Sequence, residues 1–428
     1  MKKTQPKLIV SDAKGRIYGV SFLEAAGMKA GNFFRLKADD LIKIPYGSEL
    51  FVLPDRMPVG YDPAEKRFIS TKGLFPVAAF ISPGYTATYN SCFIEKSGAA
   101  ILPLFSYAAA ALYKGDIYAA GLLVDREKRH DIRVLDMDLV KRNIKRYRDV
   151  FSANRLVRHL ERCALQYGCA GAKGFFLSKY EAPLPSSPRC NARCMGCISY
   201  QPDKRCPVAQ PRITFIPRPE EIADVAVYHI KNTADPVVSF GQGCEGEPLL
   251  CAAVLERSIR LIRKMTNAGM ININTNASRP DTIIRLLDAG LDSVRVSLNS
   301  ARKEYYSRYY RPRGYSFKDV LRSITIVKKK GRFVSVNYLV MPGFTDSTDE
   351  YEAFRDFLGQ YKIDMVQWRN LNYDPLRYFR ELRFSAEKSD LLGIREIIAS
   401  LLADYPLLLS GYFNPSRAKI SRLSAQRP

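Results

Sequence analysis

The sequence predicts an α/β protein whose core is a (β/α)6 partial TIM-type barrel, preceded by a β-rich, mixed N-terminal accessory domain. Beyond residue 170, short runs rich in strand-forming residues alternate with amphipathic helical patterns, and polar residues alternate with apolar ones inside the runs. Strands separated by helices pair in parallel through right-handed crossovers. We therefore assign residues 1–170 to the accessory domain, 171–400 to the partial barrel and 401–428 to a C-terminal tail.

The predicted barrel strands follow one another at regular intervals. They are GFFLS (174–178), VVSF (237–240), MININTN (270–276), SVRVSLN (293–299), FVSVNYLVM (333–341) and MVQWRNLN (365–372). Several of the intervening helical patterns end at a glycine, namely Gly269, Gly290 and Gly331. Glycine is the usual residue just past a helix C-terminus, so these positions support the helix boundaries.

Polar side chains occupy alternate positions of the later strands. Asn272 and Asn274 alternate with isoleucines, Arg295 and Ser297 alternate with valines, and Arg369 lies at a similar position of the last strand. Successive side chains of a strand point to opposite faces, and the apolar set must meet the helices. A closed eight-stranded barrel fills its interior with branched apolar residues. The polar set therefore predicts an open cavity for a polar ligand.

The first 170 residues carry weaker patterns. Residues 7–51 have turn motifs between short apolar runs, which predicts strands, and residues 139–168 are typical of helices. The most apolar stretch, residues 98–113, contains Pro103 and is shorter than the roughly 20 residues of a membrane span. It predicts a buried core segment and no membrane association. The N-terminus lacks the apolar run of a signal peptide, which favours a cytoplasmic location with reduced cysteines.

The chain is strongly basic, with 66 Lys and Arg against 43 Asp and Glu, a formal charge of +23. Residues 302–332 hold eleven basic and two acidic residues together with five tyrosines. Such a segment attracts polyanions, and its tyrosines could stack on RNA bases. A solvated helix face with tyrosines on its apolar side explains the same pattern. Both interpretations stay open.

The stretch RCNARCMGCISY places Cys190, Cys194 and Cys197 at C-x3-C-x2-C spacing. Zinc sites usually combine two separated ligand pairs, and none of the histidines (His130, His159, His229) lies at finger spacing. A redox pair of Cys194 and Cys197 would leave Cys190 without a role. Three thiolates on one loop can instead hold three irons of a [4Fe–4S] cluster and leave the fourth iron open.

This cysteine motif, placed after the first barrel strand, resembles that of the radical S-adenosylmethionine (radical SAM) superfamily. The similarity extends over about residues 171–375. Gly246, Glu247 and Pro248 resemble the family's Gly-Gly-Glu-Pro motif, whose first glycine is Glu245 here. The third strand ends in Asn274, Thr275 and Asn276, similar to the family's Thr-Asn segment, and Ser297 and Asn299 resemble its polar pair near the SAM ribose or carboxylate.

The resemblance implies an enzyme that cleaves SAM reductively at a [4Fe–4S] cluster and generates a 5′-deoxyadenosyl radical. It implies that Cys190, Cys194 and Cys197 bind the cluster and that the remaining motif residues contact SAM. Glu247 suits the methionine ammonium, and Arg295 suits a carboxylate of SAM or substrate, although a structural ion pair would explain Arg295 as well. The electron would come from a flavodoxin- or ferredoxin-like one-electron reductant.

Two departures from the family pattern are visible. The residue before the third cysteine, commonly aromatic in the family, is Gly196, so the adenine contact must come from elsewhere, with Ile198 and Tyr200 as candidates. The further cysteines match no branch: the methylthiotransferases have an N-terminal cysteine trio, the rRNA adenine methyltransferases a late cysteine, and the peptide-maturing enzymes a cysteine-rich extension. The branch stays unassigned.

The function is left with two alternatives. One is a radical SAM enzyme acting on an unidentified anionic or RNA substrate. The other is a non-catalytic iron–sulfur protein with an RNA-binding or regulatory role. Such a protein needs neither the Glu247 motif nor a polar lumen. The remaining cysteines either form an auxiliary cluster or are ordinary buried residues; they are Cys163, Cys169, Cys206, Cys244 and Cys251.

Overall fold

The computed structural model describes residues 5–202 and 206–424 of the chain. The N-terminal part is a sheet of fourteen strands that pair antiparallel. The strands are β1 (Lys7–Ser11), β2 (Ile17–Glu24), β3 (Ala26–Lys29), β4 (Asn32–Arg35), β5 (Leu41–Lys43), β6 (Glu49–Val52), β7 (Arg56–Asp62), β8 (Arg67–Ser70), β9 (Phe75–Phe80), β10 (Tyr85–Ala87), β11 (Asn90–Ser91), β12 (Phe93–Glu95), β13 (Ala108–Tyr113) and β14 (Asp116–Leu123).

The alanine-rich strand β13 lies at the centre of this sheet. It pairs with β1, β9, β11 and β14, and its residues Ala108 to Ala111 are almost completely buried. The prediction that residues 98–113 contain a buried core segment is therefore confirmed for this strand. None of the described helices is long and apolar enough to cross a lipid bilayer.

Three helices connect the antiparallel sheet to a second, parallel sheet of seven strands. These helices are α1 (Met137–Val150), α2 (Arg155–Leu165) and α3 (Ala170–Phe176). The parallel strands are β15 (Glu181–Pro183), β16 (Val237–Phe240), β17 (Met270–Thr275), β18 (Ser293–Leu298), β19 (Phe333–Val340), β20 (Met365–Asn370) and β21 (Leu409–Gly411), and they lie in the order of the sequence. The sheet is curled into a partial barrel, which confirms the predicted fold class.

Helices and short 3-10 turns connect the parallel strands. The helices are α4 (Pro219–Asn232), α5 (Ala252–Met265), α6 (Pro280–Ala289), α7 (Lys303–Tyr310), α8 (Phe317–Lys329), α9 (Thr348–Tyr361), α10 (Pro375–Leu382), α11 (Ile394–Asp404) and α12 (Arg417–Ser424). Local sequence explains several boundaries. Asp319 accepts a hydrogen bond from the backbone N–H of Ser316 at the start of α8 (2.8 Å). At the end of α6, Gly290 adopts a φ of 112°, a conformation that disfavours side chains.

Two sequence predictions of elements are wrong. The run at 174–178 is not the first barrel strand, because residues up to Phe176 belong to α3 and the strand begins at Glu181. Phe175 and Phe176 pack against Tyr147 of α1, so burial in a helix outweighs their strand propensity. The interval 401–428, predicted as a tail, contains β21, which pairs in parallel with β20, and helix α12.

The lumen of the partial barrel is polar, as predicted. The Asn272 side chain donates to Ser239 Oγ (3.3 Å) and Asn274 Oδ1 (2.8 Å), and it accepts from Ser293 Oγ (2.8 Å). Gln367, fully buried on β20, accepts from Arg295 and donates to Asn414 Oδ1 (3.1 Å). These bonds satisfy the polar groups that are buried at the base of the barrel. The lumen above them is open.

The basic segment 302–332 is folded onto the barrel as α7 and α8. Tyr306, Tyr309 and Tyr310 are buried, so the interpretation that these tyrosines are free to stack on RNA bases is wrong. Several of the basic side chains form ion pairs within the chain, namely Arg302 with Glu350, Arg311 with Glu381, Arg322 with Asp281, Lys328 with Asp364 and Lys330 with Asp288. The segment therefore contributes to the structure, and RNA as a partner stays a prediction.

Buried ion pairs join the two sheets. Lys29 of β3 lies 2.9 Å from Asp346, and Arg56 of β7 lies 3.0 Å from Asp374, with both pairs almost fully buried. Arg56 also donates to Glu95 (2.9 Å) and to two backbone carbonyls. Charges buried in this way need complete hydrogen bonding, so these contacts fix the position of one sheet against the other.

Replacing Asp374 by Ala should destabilise this junction strongly. The change leaves the Arg56 guanidinium buried with one carboxylate fewer, which costs about 3–5 kcal/mol. We expect the thermal unfolding midpoint to fall by roughly 3–6 °C. The control Asp116→Ala breaks an exposed pair with Lys43, and exposed pairs of this kind contribute little to stability, so the midpoint should change little. Equal effects of the two substitutions would contradict a structural role for the Arg56 pair.

Candidate functional site

One cavity of about 600 Å³ brings most of the predicted site residues together. It lies at the carboxyl ends of the parallel strands, where the loops that follow β15, β16 and β17 converge. This edge is where parallel α/β sheets place their ligands. The predicted residues that line the cavity are Cys190, Cys194, Cys197, Gly246, Glu247, Asn274, Asn276, Arg295 and Ser297.

The cysteine loop is held by backbone hydrogen bonds to the end of α7. The N–H groups of Arg193 and Met195 donate to the carbonyls of Tyr310 (2.9 Å) and Tyr309 (3.0 Å). The N–H of Arg313 donates to the carbonyl of Asn191 (2.8 Å). The tyrosine-rich helix therefore serves as the support on which the three cysteines are placed.

The loop after β16 docks directly on the residues before Cys190. The N–H groups of Gly246 and Glu247 donate to the carbonyls of Ser187 (2.6 Å) and Arg189 (2.8 Å). A Cβ on Gly246 would lie 2.0 Å from the Arg189 carbonyl oxygen, closer than any side chain allows. Glycine is thus required at position 246 by the close approach of two backbones.

Glu245, which stands where the family pattern has a glycine, binds both loops through its buried carboxylate. Oε1 accepts from the N–H groups of Gly241 (2.6 Å) and Gln242 (2.8 Å). Oε2 accepts from the N–H and hydroxyl of Ser186 (2.8 and 3.0 Å) and from the N–H of Ser187 (3.0 Å). Burial raises the pKa of Glu245, and these donors oppose the increase. The side chain connects the start of the cysteine loop to the loop that carries Glu247.

Glu247 faces the cavity from a fixed position. Its Oε1 accepts from Thr275 Oγ1 and from the N–H of Leu249 (3.1 Å), and its Oε2 accepts from the N–H of Asn276 (2.9 Å). Burial raises the pKa of Glu247 to about 7, although all three donors favour the charged form. A carboxylate held in this way is suited to accept a further hydrogen bond from a cationic group in the cavity.

Asn274 and Asn276 hold the neighbouring loops in register. The Asn274 amide donates to the carbonyl of Gly241 (3.0 Å), and the Asn276 amide donates to Asn191 Oδ1 (2.8 Å). Gly241 has a φ of +77°, and a Cβ there would lie 1.7 Å from the Asn274 carbonyl oxygen. The two asparagines therefore connect the end of β17 to both the loop after β16 and the cysteine loop.

Two predicted site residues do not line the cavity. Asn299 is buried, and its amide donates to the carbonyl of Tyr305 and to the hydroxyl of Tyr378 (3.3 Å each), which places it behind the wall. It follows the last residue of β18, so the alternation of the strand no longer directs its side chain. Pro248 begins a 3-10 turn, Pro248–Cys251, and contributes to the shape of the loop.

Of the two candidates for the adenine contact, one lies in the cavity. Ile198 lines the cavity and packs over Gly243, where a Cβ would meet its side chain at 2.8 Å. Tyr200 does not line the cavity. It is 39% exposed, and the Arg212 guanidinium lies over its ring. Around Gly196 the nearest groups are Tyr309 and Leu371, which also line the cavity. A flat ligand group at this end would thus meet Ile198, Tyr309 and Leu371.

Several residues at the site were not found from the sequence. Arg212 lies beside the cysteine loop, where it donates to Cys197 Sγ (3.5 Å) and Ser199 Oγ (3.0 Å), but no motif marks it. The accessory sheet and the C-terminal segment supply further wall residues, which are Phe80, Ile81, Pro83, Arg129, Tyr412 and Phe413. Only the folded chain brings these distant segments together, so no local pattern could have indicated them.

The three cysteines fit a [4Fe–4S] cluster. All three line the same cavity, and each has a free thiol. Burial raises the pKa of Cys190 to about 11 and that of Cys194 well above its usual range. Thiols in such surroundings become thiolates only beside positive charge, which the irons of a cluster would supply.

Comparisons with known proteins find similarity over the barrel. Residues 184–358 match the family model described as the radical SAM superfamily. The chain is 29% identical over 181 residues to the FeMo cofactor biosynthesis protein NifB of Klebsiella pneumoniae, covering 38% of each protein. It is 30% identical over 125 residues to the probable dual-specificity RNA methyltransferase RlmN of Thermotoga petrophila, covering 28% of this chain and 36% of that protein.

Among solved structures, the methylornithine synthase PylB matches with a TM-score of 0.38 and 16% identity, over 63% of this chain and 77% of that chain. The chain spans little more than a third of the length of the two curated relatives.

Replacing Glu247 by Gln should weaken SAM binding and leave the iron content unchanged. A charge-assisted hydrogen bond to the methionine ammonium is worth about 1.5–3 kcal/mol, so a loss of roughly ten- to a hundredfold in affinity is expected. Since the carboxyl has a pKa of about 7, wild-type affinity should also fall as the pH is lowered through 7. Anaerobic calorimetry with the cluster-loaded protein measures both effects.

The control for this prediction is Glu220→Gln at the exposed start of α4, which should bind SAM like the wild type. Unchanged SAM affinity of the Glu247 variant would contradict a contact with the ammonium.

Proposed function

Because the chain contains a radical SAM domain, we propose that it is an enzyme that cleaves SAM at a [4Fe–4S] cluster and acts on a small anionic substrate in the cavity between the two sheets. Cys190, Cys194 and Cys197 hold the cluster in this proposal. Glu247 and the loops around it hold SAM, and a flavodoxin- or ferredoxin-like protein supplies the electron. The single observation that carries the substrate class is a pair of partly buried arginines whose buried Nε donors are unused.

Arg295 and Arg369 both line the cavity, from β18 and β20, on either side of β19. Arg295 donates one hydrogen bond to Gln367 (2.6 Å), and the guanidinium of Arg369 lies over the ring of Tyr412 at 3.9 Å. The Nε atoms of both arginines are buried and have no hydrogen-bond partner among the described residues. Buried donors of this kind are usually satisfied, and a ligand is one group that would satisfy them.

The electrostatics of the pair support an anion. Burial, and after it the charge of Arg369, lower the pKa of Arg295 to about 9, with Glu181 acting in the opposite direction. Two guanidinium groups that repel each other at the cavity wall gain stability when a carboxylate or phosphate binds between them. Asn337, on the strand between them, has an Oδ1 without a partner and so adds an acceptor for a hydroxyl or amine of the same ligand.

The residues of the chain position SAM and the substrate and exclude water from them. When bound, the cluster and SAM supply one-electron cleavage of a carbon–sulfur bond and abstraction of a hydrogen atom. Glu247 would orient the methionine ammonium, and Gly246 allows the backbone to approach the cysteine loop. Arg295 and Arg369, at the base of the cavity, would hold the substrate anion on the side away from the cysteines. The apolar wall from the accessory sheet would keep water from the reacting carbon.

RNA is the second substrate class predicted from the charge, and the match to a protein named as an RNA methyltransferase covers 28% of this chain. The ion pairs and buried tyrosines of the basic segment give less support to RNA than the two arginines give to a small anion. A non-catalytic iron–sulfur protein is the remaining alternative, and it has no use for a cavity that joins the cysteine loop to partly buried arginines.

Cluster binding and SAM cleavage test the proposal directly. Anaerobic reconstitution should give about four irons per chain at the predicted site, and the reduced protein should convert SAM to 5′-deoxyadenosine. Cys190→Ala, Cys194→Ala or Cys197→Ala should abolish both. Cys92→Ala, which changes a buried cysteine of the antiparallel sheet, is the matched control and should retain both. A loaded protein that forms no 5′-deoxyadenosine would favour the non-catalytic alternative.

The anion site is tested by the double substitution of Arg295 and Arg369 by Gln. In buffer without multivalent anions, the variant should melt at a higher temperature than the wild type, because removing the two guanidinium groups relieves their mutual repulsion. Inorganic phosphate should raise the melting temperature of the wild type in a concentration-dependent manner and that of the variant much less. The double change Arg148→Gln and Arg313→Gln outside the cavity is the control. Equal stabilisation of all three proteins would contradict an anion site at Arg295 and Arg369.

A further inference from the structure

A second group of sulfur and nitrogen ligands lies outside the cavity described above. His159 and Cys163 are four residues apart on one face of α2, and Cys244 comes from the loop after β16. All three side chains are buried, and their potential ligand atoms lie within 4.8 Å of one another. Elements far apart in the sequence therefore converge on one point with three metal-binding side chains.

The spacing of these atoms matches a single tetrahedral ion. His159 Nε2 lies 3.4 Å from Cys163 Sγ, and the thiol of Cys244 is in hydrogen-bonding contact with Cys163. Around zinc, with Zn–N of about 2.0–2.1 Å and Zn–S of about 2.3 Å, tetrahedral geometry places N and S about 3.6 Å apart. The ligand atoms thus need to move only slightly to surround an ion.

The surroundings offer further donors. The side-chain amide of Gln210 lies 3.1 Å from Cys163 Sγ, and Cys169 begins α3 beside the group, where its N–H donates to the carbonyl of Cys163 (3.0 Å). A flip of the Gln210 amide would turn its oxygen towards the group and offer a fourth ligand.

We infer that His159, Cys163 and Cys244 bind one thiophilic divalent metal ion, with zinc the best match to this nitrogen and sulfur ligand set. Binding releases the protons of the two thiols to solvent. The ion lies apart from Cys190, Cys194 and Cys197, so this inference goes beyond the proposed function and does not depend on it.

An ion at this position would help to hold the loop after β16, which carries Glu247. Cys244 immediately precedes Glu245, whose carboxylate joins that loop to the cysteine loop, and lies three residues before Glu247. Its carbonyl accepts from the N–H of Ile213 (2.7 Å). A metal at Cys244 would therefore attach this loop to α2, and its removal would loosen the loop without removing any residue that lines the cavity.

Metal analysis in a cluster-free background tests the inference. The triple variant Cys190→Ala, Cys194→Ala, Cys197→Ala, grown with zinc and purified without chelator, should contain about one zinc per chain by mass spectrometry. Adding His159→Asn, Cys163→Ser or Cys244→Ser should reduce zinc at least tenfold. The matched controls Cys92→Ser and His229→Asn, which change buried residues of the same types, should keep it.

A second measurement uses a protein that keeps all three proposed ligands, so it tests the inference even when a ligand variant does not fold. Cobalt added to the metal-free triple variant should give the visible bands and thiolate charge-transfer absorption of a tetrahedral sulfur-ligated ion, with saturation at one cobalt per chain. The inference is overturned if cobalt gives no such spectrum, or if zinc is retained equally in ligand and control variants. A Cys163–Cys244 disulfide in anaerobically purified protein, or about four irons per chain in the triple variant, would also overturn the assignment to a single ion.

Discussion

The site depends on one buried carboxylate, that of Glu245, which accepts five hydrogen bonds from two loops that are otherwise separate in the sequence. Ser186 and Ser187 are fully buried, so their donors would be left unsatisfied if the carboxylate were absent. This side chain thus connects the residues before Cys190 to the residues before Glu247. The close backbone contact at Gly246 then has a fixed partner, and the cysteine loop has a fixed distance to the loop beside it.

Hydrogen bonds also connect the tyrosine-rich helix α7 to the cysteine loop. Its last carbonyls accept hydrogen bonds from the cysteine loop, and carbonyls at a helix C-terminus have no partner inside the helix. The rings of Tyr306, Tyr309 and Tyr310 pack against one another and fix the end of the helix. A segment whose composition suggested a surface for polyanions thus carries part of the site. Five of its eleven basic side chains form ion pairs with acidic residues of neighbouring elements.

The sequence predicted those parts of the fold and site that depend on local patterns. The alternation of Asn272 and Asn274 with isoleucines indicated a polar lumen, and the cysteine spacing indicated a cluster loop, because both follow from neighbours in the chain. Phe175 and Phe176 were assigned to the wrong element because packing against Tyr147 outweighs their local preference. Strand β21 and the His159, Cys163 and Cys244 group were missed, since the first has only three residues and the second exists only after α2 meets a distant loop.

The wall that the antiparallel sheet contributes has a consequence for how such a protein changes over evolutionary time. The backbone hydrogen bonds described above hold the cysteine loop on the parallel barrel and α7, whereas Phe80, Ile81 and Pro83 reach the cavity from the other sheet. Substitutions at these three positions would alter the room in the cavity and leave those hydrogen bonds in place. In the proposed function, substrate selectivity and radical formation would therefore rest on different parts of the chain, and mutation could reshape the first without the second.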